Sequence, residues 1–133
     1  MLVPSHKPPK LLEREVTGQI REFMKLKGWR PVRMQRTVMP GQFQTGEPGI
    51  PDFVFLWYIK RGIAACLWVE LKRPGGKLRE KQVEWIGREQ KRGAEVWVVE
   101  DFDTFHQRYY GEFSYLHDGR LPGQIEMFGG ATA

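Results

Sequence analysis

Cysteine is almost absent from this 133-residue chain, and its single copy, Cys66, has no internal partner for a disulfide. A disulfide-stapled secreted scaffold is thereby excluded, and a reducing cytoplasm is the expected setting. Long apolar runs are missing too. No stretch of about 18 apolar residues and no signal-peptide pattern occurs, so a membrane-spanning helix is not expected. Nor does the chain contain a block of five like charges, and a surface for a polyanion has to be assembled in three dimensions. Internal repeats are absent, His6, His106 and His117 are scattered without metal-ligand spacing, and Pro74-Gly75-Gly76-Lys77 lacks the remainder of a phosphate-binding loop.

What is present favours one compact domain with a polyanionic partner. A net charge of +5 tilts long-range electrostatics toward phosphate, although a solubility charge reads the same way. Aromatic content of 13%, including five Trp, is too high for a disordered chain.

Residues 1–10 (MLVPSHKPPK), with three prolines and no periodicity, read as a flexible arm. From Leu11 to Lys27, Leu12, Val16, Ile20, Phe23 and Met24 repeat at helical spacing, and Gly28 stands where a helix-stopping glycine belongs. A short strand is expected near Pro31 to Met34, followed by a Gly/Pro-rich loop whose length suggests a binding surface. Phe53 to Tyr58 and Ala64 to Leu71 are apolar, aromatic and β-branched, and they flank a turn at Ile59 to Ile63, which predicts an antiparallel hairpin. Both faces of both strands are apolar, so helices are expected to cover each side. A second helix is predicted over Leu78 to Arg92 with a glycine stop at Gly93, then a strand over Ala94 to Val99. Strand, helix and strand in this span make a crossover, placing the last strand parallel to Ala64–Leu71. Asp103 to Tyr110 reads as a final short helix. The expected fold class is α/β, a mixed central sheet flanked by helices.

Acids interrupt the apolar strands at two points. Asp52 opens the first hairpin strand, and Glu70 and Lys72 close the second. Isolated carboxylates are costly in such surroundings unless paired, hydrogen-bonded or metal-bound. If the hairpin is symmetric about Arg61, paired positions sum to 122, so Asp52 and Glu70 stand directly opposite, with Cβ atoms roughly 5 Å apart. Lys72, two residues on, shares their face. Two carboxylates and an ammonium converging at a sheet end suit a hard divalent cation, Mg²⁺ or Mn²⁺, and metal-assisted phosphodiester hydrolysis. The plainer alternative is a strand-end Asp beside a solvated Glu-x-Lys pair, a weak signal taken alone.

Gly49-Ile50-Pro51-Asp52, Val69-Glu70-Leu71-Lys72, Gly75-Gly76-Lys77-Leu78 and Gln82 together resemble the VRR-NUC nucleases, a branch of the PD-(D/E)XK superfamily, over Leu12 to about Phe105. The resemblance implies a restriction-endonuclease-like core over residues 11–117. It implies catalytic roles for Asp52, Glu70, Lys72 and Gln82, and metal ligation by Asp52, Glu70 and the Leu71 carbonyl. It further implies a homodimer acting as an endonuclease on branched DNA, a Holliday junction or flap. A first-helix glutamate also ligates metal in this family. Glu13 and Glu15 compete for that role. Glu13 shares the stripe of Val16 and Ile20, whereas Glu15 lies about 200° away in phase, which favours Glu13; an ordinary first-turn acid is the alternative. A non-catalytic DNA-binding module and a restriction-type sequence-specific nuclease stand as rivals.

Arg33, Arg36, Arg73, Lys77, Arg79 and Lys81 are candidates to track phosphates, and each alone is equally consistent with a solvated surface. Trp57, Trp68 and Trp97 are expected in the core, Phe43 is a loop aromatic able to stack on a base, and Cys66 is expected to be buried mid-strand. In the tail, residues 118–133, Gln124, Ile125, Met127 and Phe128 form an apolar island among glycines. That spacing resembles the bacterial sliding-clamp-binding pentapeptide and implies a clamp as partner. Packing of Phe128 back onto its own domain or onto a dimer mate is the alternative.

Overall fold

The computed structural model describes residues 13–34 and 46–117. Arg36, Phe43 and the Gln124–Phe128 segment lie outside them, as does the arm of residues 1–10. The described elements run in the order α1 (Glu13–Lys27), β1 (Arg30–Arg33), β2 (Phe53–Lys60), β3 (Ile63–Leu71), α2 (Glu80–Lys91), β4 (Glu95–Val99), α3 (Phe102–Phe113) and a 3₁₀ turn at Ser114–Leu116. No described helix is long and apolar enough to cross a membrane.

Helix α1 forms because Val16, Ile20 and Met24 recur every four residues, and this stripe is buried. Its end is chemically defined. The Gly28 N–H donates to the Lys25 carbonyl at 3.0 Å and the Trp29 N–H to that of Met24 at 2.9 Å, the paired bonds of a Schellman stop, with Gly28 at φ +106°. Helix α2 ends on the same pair of bonds, from Gly93 to Gln90 and from Ala94 to Glu89.

The sheet runs β1-β2-β3-β4, with β1/β2 and β2/β3 antiparallel and β3/β4 parallel, as the crossover required. The β2/β3 register pairs Phe53 with Val69 and continues to Tyr58 with Ala64, so positions sum to 122 as expected. At Ile59 the register slips, Lys60 pairs with Ile63, and both strands extend further into the turn than their composition suggested. Phe53, Phe55, Leu67, Val69 and Leu71 project from one sheet face and are buried. Helix α1 packs on β1 and β3, and its Arg21 lies over the Phe53 ring at 5.6 Å. On the opposite face Trp85 of α2 meets Trp68 edge-on at 4.8 Å, so α2 covers the face that carries Asp52 and Glu70.

Cover is incomplete, contrary to the expectation of helices over the whole of both strands. Toward the turn, Tyr58, Ala64 and Cys66 are exposed. Cys66 is therefore not the buried cysteine expected, although local packing still pushes its thiol pKa up. Trp57 and Trp68 are half-buried rather than core, and only Trp97 of the three is fully enclosed. The chain divides into two compact units after Phe102. In the second, Tyr109 stacks near Phe105 and Phe113 and its hydroxyl lies 2.7 Å from His117 Nε2.

Candidate active site

Each residue of the Gly49-Ile50-Pro51-Asp52 turn has a separate task. A Cβ at Gly49 would stand 2.0 Å from the Lys81 carbonyl oxygen and 2.9 Å from the Gln82 nitrogen, so only glycine lets this loop lie on the first turn of α2. Its φ of +82° also favours glycine. Pro51, buried just before β2, has no N–H to donate to a neighbouring strand. The Leu71 N–H at the end of β3 donates to Asp52 Oδ2 at 2.8 Å. Asp52 is tied from the other flank by the Met34 N–H, 2.8 Å from its backbone carbonyl. One loop thus fixes a carboxylate at the end of β3.

Glu70 stands opposite Asp52 in register and is only 3% exposed. Its Oε1 has no hydrogen-bond partner among the described residues. Burial first, then the Asp52 charge and a hydrogen bond with Asp52, push the Glu70 pKa up to about 8, against the opposing pull of Lys72 and Arg79. Two carboxyl groups crowded in a desolvated corner are under-compensated by the cations around them. Lys72 follows on the same face, half-buried, its backbone N–H held by the Val99 carbonyl at 2.9 Å. Gln82 is 1% exposed, and its Oε1 accepts the Arg79 N–H at 2.8 Å, closing the start of α2.

The donor chemistry fits a hard divalent cation. Oxygen ligands are available from Asp52, Glu70 and the Leu71 carbonyl, and a buried carboxylate oxygen without a donor carries the kind of charge such an ion compensates. Among the described residues no group of three His, Cys, Asp or Glu side chains gathers around one point. Glu13 accordingly does not join the pair. It sits exposed at the start of α1, beyond the buried stripe whose phase it shares, with its carbonyl accepting the Thr17 hydroxyl at 2.6 Å. Glu15 is exposed as well. Of the basic residues, Arg73, Lys77, Arg79 and Lys81 are exposed between β3 and α2 on the site's flank, Lys81 pairing with Glu84 at 3.6 Å. Arg33 pairs in register with Phe53 and so belongs to the opposite sheet face.

A family model, the VRR-NUC domain, matches residues 17–101. The chain belongs to the VRR-NUC family. A solved structure of a VRR-NUC domain is 24% identical, with a TM-score of 0.55 over 76% of this chain and 96% of its own, which is agreement of fold. No curated protein matches the chain. The VRR-NUC match contains Asp52, Glu70, Leu71, Lys72 and Gln82, and leaves out Glu13 and Gln124–Phe128. This is a nuclease-type family, and its fold here is the α/β restriction-endonuclease-like core expected from the sequence. Two features of this VRR-NUC core escaped the sequence. The seat of Gly49 on α2 left no signal beyond a glycine before Ile-Pro-Asp, and the influence of Arg79 on Glu70 depends on how α2 folds back over β3.

Proposed function

We propose that the chain is a divalent-metal-dependent endonuclease that hydrolyses phosphodiester bonds in DNA, with branched DNA as its preferred substrate and a homodimer as its working form. The observation that carries the chemistry is the facing pair Asp52 and Glu70, one oxygen of it buried without a donor, beside Lys72. Asp52, Glu70 and the Leu71 carbonyl would hold Mg²⁺ or Mn²⁺, and a bound cation supplies Lewis acidity toward water and charge compensation toward the phosphoryl group.

The protein's own groups do the rest. Lys72 Nζ orients the attacking water and offsets negative charge gathering at phosphorus. Water adds to phosphorus in line as the bond to the 3′ oxygen breaks, leaving a 5′ phosphate and a 3′ hydroxyl. The Asp52 side chain, anchored on the Leu71 N–H, cannot swing away, and Gln82 fixes the helix start that brings Arg79 and Lys81 to the site's rim. Exposed Arg73, Lys77 and Arg79 hold flanking phosphates. The preference for branched DNA and the dimer rest on the family resemblance, since one fold serves many substrates.

Incubation of labelled linear, flapped and four-way DNA with Mg²⁺, Mn²⁺ or EDTA tests the reading. Metal-dependent cleavage that Asp52→Asn and Lys72→Ala abolish is expected. Binding without cleavage under every metal condition would make the chain a DNA-binding module, and equal cutting of all three substrates would remove the branch preference.

A further inference from the structure

The sheet face that carries Asp52 and Glu70 continues to a second, open patch. By register Tyr58 lies six residues along β2 from Asp52 on the same face, roughly 20 Å away at a strand's rise. Arg30 on β1 and Ala64 and Cys66 on β3 share that face, and all four are exposed. Tyr58 is 61% exposed, an unusual state for a large aromatic residue in a strand, and its hydroxyl accepts the Arg30 guanidinium N–H at 3.2 Å. Arg61 projects at the turn just beyond.

Charge is segregated in the same region. Between Asp52 and Glu70 the only charged residues are Lys60 and Arg61, and of the two arginines on β1 it is Arg30 that shares the face of Tyr58. The patch is therefore an exposed ring held beside the Arg30 guanidinium, with Arg61 exposed in the adjoining turn and no carboxylate between Phe53 and Val69. Single-stranded nucleic acid is recognised by that combination, bases stacking on the ring and phosphates meeting the cations. Paired bases hide their faces and offer such a ring much less.

We infer that Tyr58, Arg30 and Arg61 form a second contact surface, for an unpaired strand of the DNA substrate about 20 Å from the scissile phosphate. The inference rests on the nuclease reading above and extends it, because it assigns to a specific surface the part of a branched substrate that a linear duplex lacks.

Fluorescence anisotropy in EDTA, with a flapped DNA and a blunt duplex of equal length, tests it. Tyr58→Ala is expected to weaken flap binding roughly tenfold and duplex binding less than twofold. Tyr58→Phe, which keeps the ring and loses the acceptor for Arg30, is expected to retain most flap binding. Arg30→Ala/Arg61→Ala is expected to lower the salt slope of flap binding by about two. In cleavage with Mn²⁺ these variants raise KM on the flap and leave kcat in place. Unchanged flap affinity and salt slope in a wild type that cleaves, or equal losses on flap and duplex, overturn the inference. A shift in oligomeric state by sedimentation also overturns it, assigning the patch to a second copy of the chain. A wild type that binds the flap and never cleaves it overturns the nuclease reading while leaving the surface intact; one that binds neither DNA overturns both.

Discussion

The two ends of the β2–β3 hairpin are built from similar residues and do opposite things. At the near end Phe53, Val54, Val69 and Leu71 are buried, and Glu70 among them is held in low dielectric. At the far end Tyr58, Ala64 and Cys66 stand in solvent on the same pair of strands. A carboxylate at the far end would be an ordinary solvated charge. At the near end burial and a facing aspartate raise Glu70 to a pKa of about 8, which makes it responsive to a cation. The difference lies in what covers the strands, since the strands themselves are alike.

The sharpest way to break the comparison is at the near end. Lys72→Ala and Asp52→Asn are each expected to lower the cleavage rate on the order of a hundred- to a thousandfold while DNA binding persists, because the first removes the cation beside the reacting phosphate and the second a charged oxygen that would hold the metal. Cleavage near the wild-type rate in either purified variant would return Asp52, Glu70 and Lys72 to the status of strand-end charges.

Stability separates the two faces of β3 next. Leu67→Ala, at a fully buried site, is expected to cost about 2–5 kcal/mol, whereas Cys66→Ala next to it on the exposed face is expected to stay within about 0.5 kcal/mol. Urea unfolding of the two variants reads this directly, and equal losses would mean that the far end is covered in solution.

Gly49 and Gly46 sharpen the near end itself. Both have positive φ, but a Cβ at Gly46 meets nothing while one at Gly49 meets the backbone of α2. Gly46→Ala is expected to cost about 1 kcal/mol from backbone strain alone. Gly49→Ala adds an overpacking cost of about 1–3 kcal/mol and shifts Asp52 relative to Gln82. Matching unfolding midpoints in the two variants would mean that the close approach to α2 carries no energy of its own.

The remaining readout of the near end is a pH slope. The folded protein holds the Glu70 proton up to about pH 8 whereas the unfolded chain releases it near 4.5, so the folded state binds more protons in between. Metal-free stability therefore falls as pH rises through that window, and this contribution is fully present only below it. Thermal midpoints in EDTA are expected to decline from pH 5 to pH 8.5, and Glu70→Gln to flatten that part of the decline. Mg²⁺ or Mn²⁺ is expected to raise the midpoint most at the alkaline end, where the carboxylate is free to bind it. An identical slope in wild type and Glu70→Gln would mean that Glu70 ionises normally.

Much of the fold is legible in the order and spacing of the residues. The four-residue spacing of Val16, Ile20 and Met24 gives α1, and Gly28 and Gly93 stop their helices by an interaction that spans only a few residues. Pairing Asp52 with Glu70 needs only that the hairpin fold about Arg61, and the slip at Ile59 falls too close to the turn to disturb it. Cys66 departs from expectation because an apolar residue in an apolar strand reads the same whether or not a helix reaches over it. Glu13 has the right helical phase, but phase fixes direction around the axis and says nothing of how far the helix start lies from the sheet end.

The sequence by itself determined the order of the elements, the parallel crossover and the facing of two acids, because each follows from periodicity, turn chemistry or chain geometry over short spans. Only the tertiary structure decided that Glu70 is buried, that Gly49 rests on α2 and that the far end of the hairpin is open. Burial and close approach depend on segments distant along the chain, here α2 folding back over β3, and desolvation, which no local pattern encodes, is what turns a Glu-x-Lys pair into a site.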